Sequence, residues 1–313
     1  MILIILLSIV VLTVIIFCSY ISLKYIRIVT DNILNVPFPL DHAHTNTIES
    51  QDVEFPSFDG TKFHGKFISS PNGSKKTIIF CHEYGSDQNS WAKYLSYIPE
   101  NGFNVFTFDF RKASDDGKLH KKGFSPKQWS TKKELRDLLA AIEYLQKRND
   151  VDANDLGIFG VSKGGGLAIC AAAKSKRITA VISDGALPVV ETIKDYINKW
   201  ANIYMPDLIF RNLPGPLIHL LAYLSVRLAS LRLRSRIILV EKRIRSSHQP
   251  LFLIHGASDN YVRPQHAQYL FDRSKSKKEL WIVPDAAHND SVLSDPKQYE
   301  ERVLAFFQKH IKG

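Results

Sequence analysis

The chain has 313 residues, 45% of them hydrophobic, and a formal net charge of +10. That length suits one large domain with an insertion, and that apolar content builds a core without disulfides. Three cysteines, none paired at metal-ligand spacing, argue against a disulfide framework or a cysteine metal site, while the basic balance points to an anionic surface or a nucleic acid.

Residues 1–23 form one uncharged apolar run, and about 20 such residues cross a bilayer core as a helix. A cleaved signal peptide has a basic leader, a shorter apolar core and a small-residue cleavage site. Here the run is long, and Lys24 and Arg27 follow directly. The sequence therefore predicts a single-pass membrane anchor over 1–23, a juxtamembrane linker over 24–50 and a globular domain over 51–313. The two basic residues place that domain in the cytoplasm by the positive-inside rule.

Strands and helices then alternate, which implies a mostly parallel central sheet with helices on both faces. Residues 53–55 and 63–68 flank Asp59-Gly60 as a hairpin. Residues 77–81 are the next strand, 91–98 a helix and 103–108 a strand. Over 131–148, Leu135, Leu138, Leu139, Ile142 and Leu145 fall at helical spacing. The apolar run 156–161 enters Gly160-Val161-Ser162-Lys163-Gly164, and small residues at helical spacing follow. A serine on a sharp strand-to-helix turn needs glycine on both flanks, because a Cβ there strikes the adjoining element, and the serine itself is strained. The turn lifts Oγ out of the sheet. The competing reading is a glycine-rich turn that holds a phosphate. Residues 178–182 are another strand, and 298–311 a final helix.

Two later loops offer partners for Ser162. Residues 251–259 are a buried strand ending in a tight turn with Asp259, and 280–288 are a strand followed by a loop histidine, His288. A serine hydroxyl needs a base within hydrogen-bond reach. His288 takes the Oγ proton and returns it to the leaving group, while Asp259 holds the imidazole tautomer. His82, His255 and His266 compete for the base, but only His288 follows the last strand. Asp184, after the sixth strand, is the reserve acid.

Elbow, acid and base in the order Ser, Asp, His make the chain from Gln51 onward resemble an α/β hydrolase. The resemblance is to membrane-anchored Bem46-like and dienelactone-hydrolase-like serine hydrolases. It implies that His82-Glu83-Tyr84-Gly85 is the loop giving the first oxyanion donor, the Tyr84 N–H. The second is the Lys163 N–H, its side chain being solvated. Glu83 stands where the family has glycine and is expected to point away. Asp109-Phe110-Arg111 is similar to the family's Asp-x-Arg turn, with Lys112 at the usual glycine, and is structural. No cofactor and no metal are implied.

Sheet periodicity stops between 187 and 247, where the family often inserts a helical cap. Apolar stretches alternate there with basic residues. One reading is a helical subdomain with a solvated basic face. The other is a lid in which Trp200, Tyr204, Phe210, Leu220 and Tyr223 line an acyl pocket while Arg232, Arg234 and Arg236 face water or lipid headgroups. No helix-turn-helix, zinc or aromatic-platform motif supports a nucleic-acid partner. The expected activity is membrane-anchored hydrolysis of an ester, thioester or similar acyl bond in a small or lipid-like substrate. The elbow is also similar to that of bile-acid-CoA:amino-acid N-acyltransferase-like thioesterases, so acyl-CoA cleavage or transfer is one alternative. A non-catalytic binding protein on the same fold is the other; peptide cleavage is less favoured.

Overall fold

Strands buried at every position mark the centre of the sheet. They are β3 (Thr77–Cys81), β4 (Asn104–Phe108), β5 (Leu156–Val161) and β7 (Leu251–Gly256). A strand covered on both faces reads as a nearly continuous apolar run, which is why these were visible in the sequence. The computed structural model describes residues 2–35, 48–111, 127–204 and 214–312. Its eight-stranded sheet runs β1-β2-β4-β3-β5-β6-β7-β8, with β1 (Gln51–Pro56), β2 (Lys62–Ile68), β6 (Ile178–Asp184) and β8 (Lys278–Val283) completing it. β1 and β2 pair antiparallel, as do β2 and β4, and every pair from β4 to β8 is parallel.

Each face of the sheet has its own core. On one, α3 (Lys132–Leu145), α4 (Lys163–Ala172) and Leu270 of α8 (Pro264–Arg273) pack on the strands. On the other, α2 (Trp91–Leu95) and α10 (Pro296–His310) do so through Trp91, Tyr94, Tyr299, Val303 and Phe307. Local signals set the helix ends. Thr131 and Glu134 form a reciprocal capping box at the start of α3, which satisfies two orphan donors at once. The helix expected over 91–98 is shorter. It stops at Leu95, and a tight turn over Pro99–Asn101 follows, because proline restricts the residue before it and cannot continue the ladder.

The interval expected to be helical holds α5 (Val189–Tyr204), α6 (Gly215–Arg232) and α7 (Val240–Arg243). Glu241 of α7 accepts the Val189 and Val190 N–H groups at 2.9 and 3.0 Å. It thereby fills donors that the first turn of any helix leaves open. A short α9 (Ser291–Ser294) precedes α10. Phe210 and Lys112 lie outside the described residues, as do the side chains of Trp200 and Tyr204.

The single-pass membrane placement is corrected. Among the described residues, no helix is long and apolar enough to cross a membrane. The first helix, α1 (Ile2–Asn35), does not stop at Leu23. It runs on through Lys24, Arg27 and Asp31, so the part of 24–50 up to Asn35 is helix rather than linker. Its last turns bury Val29, Ile33 and Leu34 in a third core with Ala222, Val226 and Ala229 of α6. Trp129 Nε1 donates to Ile33 O at 2.9 Å. Without a spanning helix among the described residues, the charges at Lys24 and Arg27 carry no topological argument for a cytoplasmic domain.

Candidate active site

Ser162 sits between β5 and α4 with φ 50° and ψ −112°, a region that non-glycine residues rarely occupy and that costs about 1–3 kcal/mol. The neighbours explain why it is held there. A Cβ on Gly160 would run into the Gly164 carbonyl, and one on Gly164 into the Cys81 carbonyl. The Ser162 N–H donates to Asp184 O at 2.7 Å. The turn is thus clamped from β3, α4 and β6, and Ser162 Oγ lies 2.9 Å from His288 Nε2.

The loops after β7 and β8 are hydrogen-bonded to one another, with Ala257 N–H to Val283 O at 2.8 Å and Ser258 N–H to Ala286 O at 2.9 Å. This holds Asp259 against His288, whose Nδ1 is 2.6 Å from Asp259 Oδ2. The other carboxylate oxygen, Oδ1, accepts the Tyr261 and Val262 N–H groups, each at 2.8 Å. Burial pushes the Asp259 pKa upward, but hydrogen bonds from His255 and His288 outweigh it and hold it well below the usual carboxylate range. Tyr261 stacks on the His288 ring, centroids 5.9 Å apart.

A second imidazole reaches the same acid. His255, fully buried, has Nε2 at 2.7 Å from Val262 O and 3.2 Å from Asp259 Oδ2. Burial disfavours its protonation, yet the bond to Asp259 raises its pKa above the ordinary histidine value. The sequence showed His255 four residues before Asp259 but not that the turn folds the ring back onto the carboxylate. The other histidines are engaged elsewhere. His82 Nδ1 donates to Glu83 O at 2.7 Å and Nε2 accepts the Phe110 N–H at 3.1 Å. His266 bridges Thr192 and Asp195 of α5 at 3.2 and 3.0 Å. The reserve acid Asp184 takes Tyr299 OH and Ser291 Oγ at 2.9 and 3.1 Å, and burial raises its pKa.

Tyr84 and Lys163 lie on the loop after β3 and at the first position of α4. Glu83 does point away from the site: Ser90 Oγ and Tyr94 OH donate to its carboxylate, each at 3.3 Å. The expectation of a solvated Lys163 side chain is corrected. It is 5% exposed and its ammonium pairs with the carboxylate of Glu134, itself 0% exposed. The reason is that α3 and α4 pack side by side under the sheet, so a side chain leaving the first turn of α4 meets the first turn of α3. The Thr131-x-x-Glu134 pattern signals a helix start; nothing local reveals the lysine partner. Arg111 is structural, joining Asp59 at 3.2 Å and Asp137 at 2.5 Å, and Asp109 accepts the Gln88 N–H at 2.8 Å. Among the described residues, no group of three His, Cys, Asp or Glu side chains could hold a metal.

The chain is similar to protein YfhR of Escherichia coli O157:H7, with 31% identity over 82% of this chain and 80% of that protein. Among solved structures it matches the Pyrococcus furiosus esterase Pf2001, at 26% identity and TM-score 0.63, over 88% of this chain and 100% of the esterase. It also matches a dienelactone hydrolase from Anabaena variabilis at 18% identity and TM-score 0.59, over 84% and 99%, a likeness of fold alone. The prolyl oligopeptidase family profile matches residues 89–313, which include all of the chain from β4 to α10. With that span matched and the mostly parallel sheet in place, the chain belongs to the prolyl oligopeptidase family of α/β-hydrolase-fold hydrolases.

Proposed function

We propose that the chain hydrolyses carboxylic esters through an acyl-enzyme on Ser162. The observation that carries this reading is the unbroken series Ser162 Oγ, His288 Nε2, His288 Nδ1, Asp259 Oδ2, at 2.9 and 2.6 Å, built on a strained serine. Ser162 Oγ attacks the acyl carbon while His288 Nε2 takes its proton. The carbonyl oxygen becomes an oxyanion, received by the N–H groups of Lys163 and Tyr84. Collapse breaks the acyl–oxygen bond, and His288 gives its proton to the departing alkoxide. A water then repeats the sequence on the acyl-enzyme, releasing the acid and restoring Ser162. Asp259 keeps Nδ1 protonated throughout and stabilises the imidazolium.

The likeness to an esterase at 26% identity favours esters, and the family description favours peptide amides as the second reading. The test is labelling by a fluorophosphonate, followed by turnover of p-nitrophenyl esters from acetate to palmitate and of a prolyl p-nitroanilide. Ser162→Ala abolishes labelling and ester turnover with an unchanged circular dichroism spectrum. Persistent labelling of that variant refutes the nucleophile, and turnover of the anilide alone replaces ester with amide.

A further inference from the structure

A second concave site lies in the helical insertion and shares no residue with the Ser162 site. It is a cleft of about 380 Å³ formed by α6, the segment after it and α7. Its lining includes Arg227, Arg234, Arg236 and Lys242, together with Tyr223. No carboxylate lines it among the described residues. Glu241, next to Lys242, is turned to the start of α5, where it accepts two N–H groups.

Cations at the end of a helix have an ordinary explanation, since they offset the roughly half a negative charge that the dipole places there. One cation does that, and this cleft has four, one of them from α7. Lys242 is held with its ammonium 5.6 Å from the Tyr223 ring centroid, which orients it rather than neutralising it.

Arg234 is the more telling residue. α6 ends in a paired turn, Ser235 N–H to Ser230 O at 3.2 Å and Arg234 N–H to Leu231 O at 3.1 Å. The residue at Arg234 in such a turn is usually glycine, because its φ must be positive. Here φ is 49° on an arginine. The fold tolerates backbone strain at the one position of the turn where an arginine lines the cleft.

We propose that this cleft binds the phosphate or diphosphate group of a small molecule whose remaining body is apolar. Guanidinium groups match phosphate oxygens with paired, charge-assisted hydrogen bonds. The apolar body has Val226, Ile237 and Leu239 to rest on. The volume falls within the range of small-molecule sites, roughly 300–1,000 Å³. The phosphate can come from a soluble ester or from a lipid headgroup, and the test separates the two.

The full chain is titrated by calorimetry with inorganic pyrophosphate and with octyl phosphate below its aggregation threshold, at fixed ionic strength. Both bind saturably, octyl phosphate the more tightly. Arg236→Gln and Lys242→Gln each weaken binding by about tenfold, whereas Lys309→Gln, on α10, leaves it unchanged. Arg234→Gly weakens binding and raises the melting temperature, since glycine relieves the strain; this keeps loss of affinity distinct from loss of fold. A lipid source is identified when phosphatidic acid vesicles bind and octyl phosphate displaces them, and a soluble source when the vesicles do not bind. The proposal is overturned if neither soluble probe gives saturable heat, if vesicles bind but soluble probes do not, or if the three cleft variants bind as the parent does. Each of those results leaves the Ser162 reading untouched.

Discussion

Glu134→Gln isolates the charge of the buried Lys163–Glu134 pair. Glutamine is as good as glutamate in a capping box, so the bonds from the Thr131 N–H and Oγ1, at 3.1 and 2.7 Å, survive. What is lost is the counter-charge of an ammonium 5% exposed. Removing one partner of a buried pair costs about 3–5 kcal/mol, because the other is left charged and dry. Unfolding entropy near the melting temperature is about 2.1 cal/mol/K per residue, or about 660 cal/mol/K for this chain, so the midpoint falls by about 5–8 °C. Thermal unfolding followed by circular dichroism measures it. Replacing both residues, Glu134→Gln with Lys163→Met, removes the stranded charge and recovers most of the loss. Lys163→Met alone retains fluorophosphonate labelling, because only its backbone N–H serves the proposed reaction. A Glu134→Gln midpoint within about 1 °C of the parent, a shift of under 1 kcal/mol by the same conversion, refutes the claim that the Lys163 ammonium depends on a buried counter-charge.

Asp259→Asn lowers kcat on a p-nitrophenyl ester by about 10⁴ through loss of the correct imidazole tautomer, with KM little changed; a drop of less than tenfold would assign the acid elsewhere. Asp59 titrates near 2 in the fold: burial raises its pKa, but hydrogen bonds from Thr61 and Arg111 lower it more. The unfolded value is about 3.9, so the fold binds fewer protons, and this stabilisation is present above about pH 4 and lost as the pH falls toward 2. Urea midpoints across that window fall less steeply for Asp59→Asn than for the parent. Deleting residues 2–26 spares the buried apolar side chains of α1, Val29, Ile33 and Leu34, whereas deleting 2–35 removes them, uncovers Trp129, Ala222 and Val226 and lowers the melting temperature further; equal melting of the two truncations would show that α1 is not part of the core. Gly164→Ala drives a methyl into the Cys81 carbonyl and destabilises the elbow, seen as a lower melting temperature and slower labelling.

Much of the architecture was readable along the chain because its causes are local. The doubly buried strands are apolar runs, α3 announces itself by spacing and a capping box, and the glycines around Ser162 mark the only backbone that turn can adopt. Chain order then named Asp259 and His288, which the loops after β7 and β8 bring into hydrogen-bond series with Ser162. What tertiary structure alone decided is which partner each surface meets. An apolar run carries the same pattern whatever covers it, so residues 1–23 read as a membrane anchor; only the fold shows that the part of α1 buried against α6 and Trp129 is the stretch after it, Val29, Ile33 and Leu34. Lysine beside a serine reads as solvated until α3 places Glu134 against it. His255 reads as a strand-end residue until the turn at Asp259 folds back over it. Periodicity records how a segment folds on itself; contacts between segments far apart in the chain depend on how sheet and helices pack, and no local pattern encodes that.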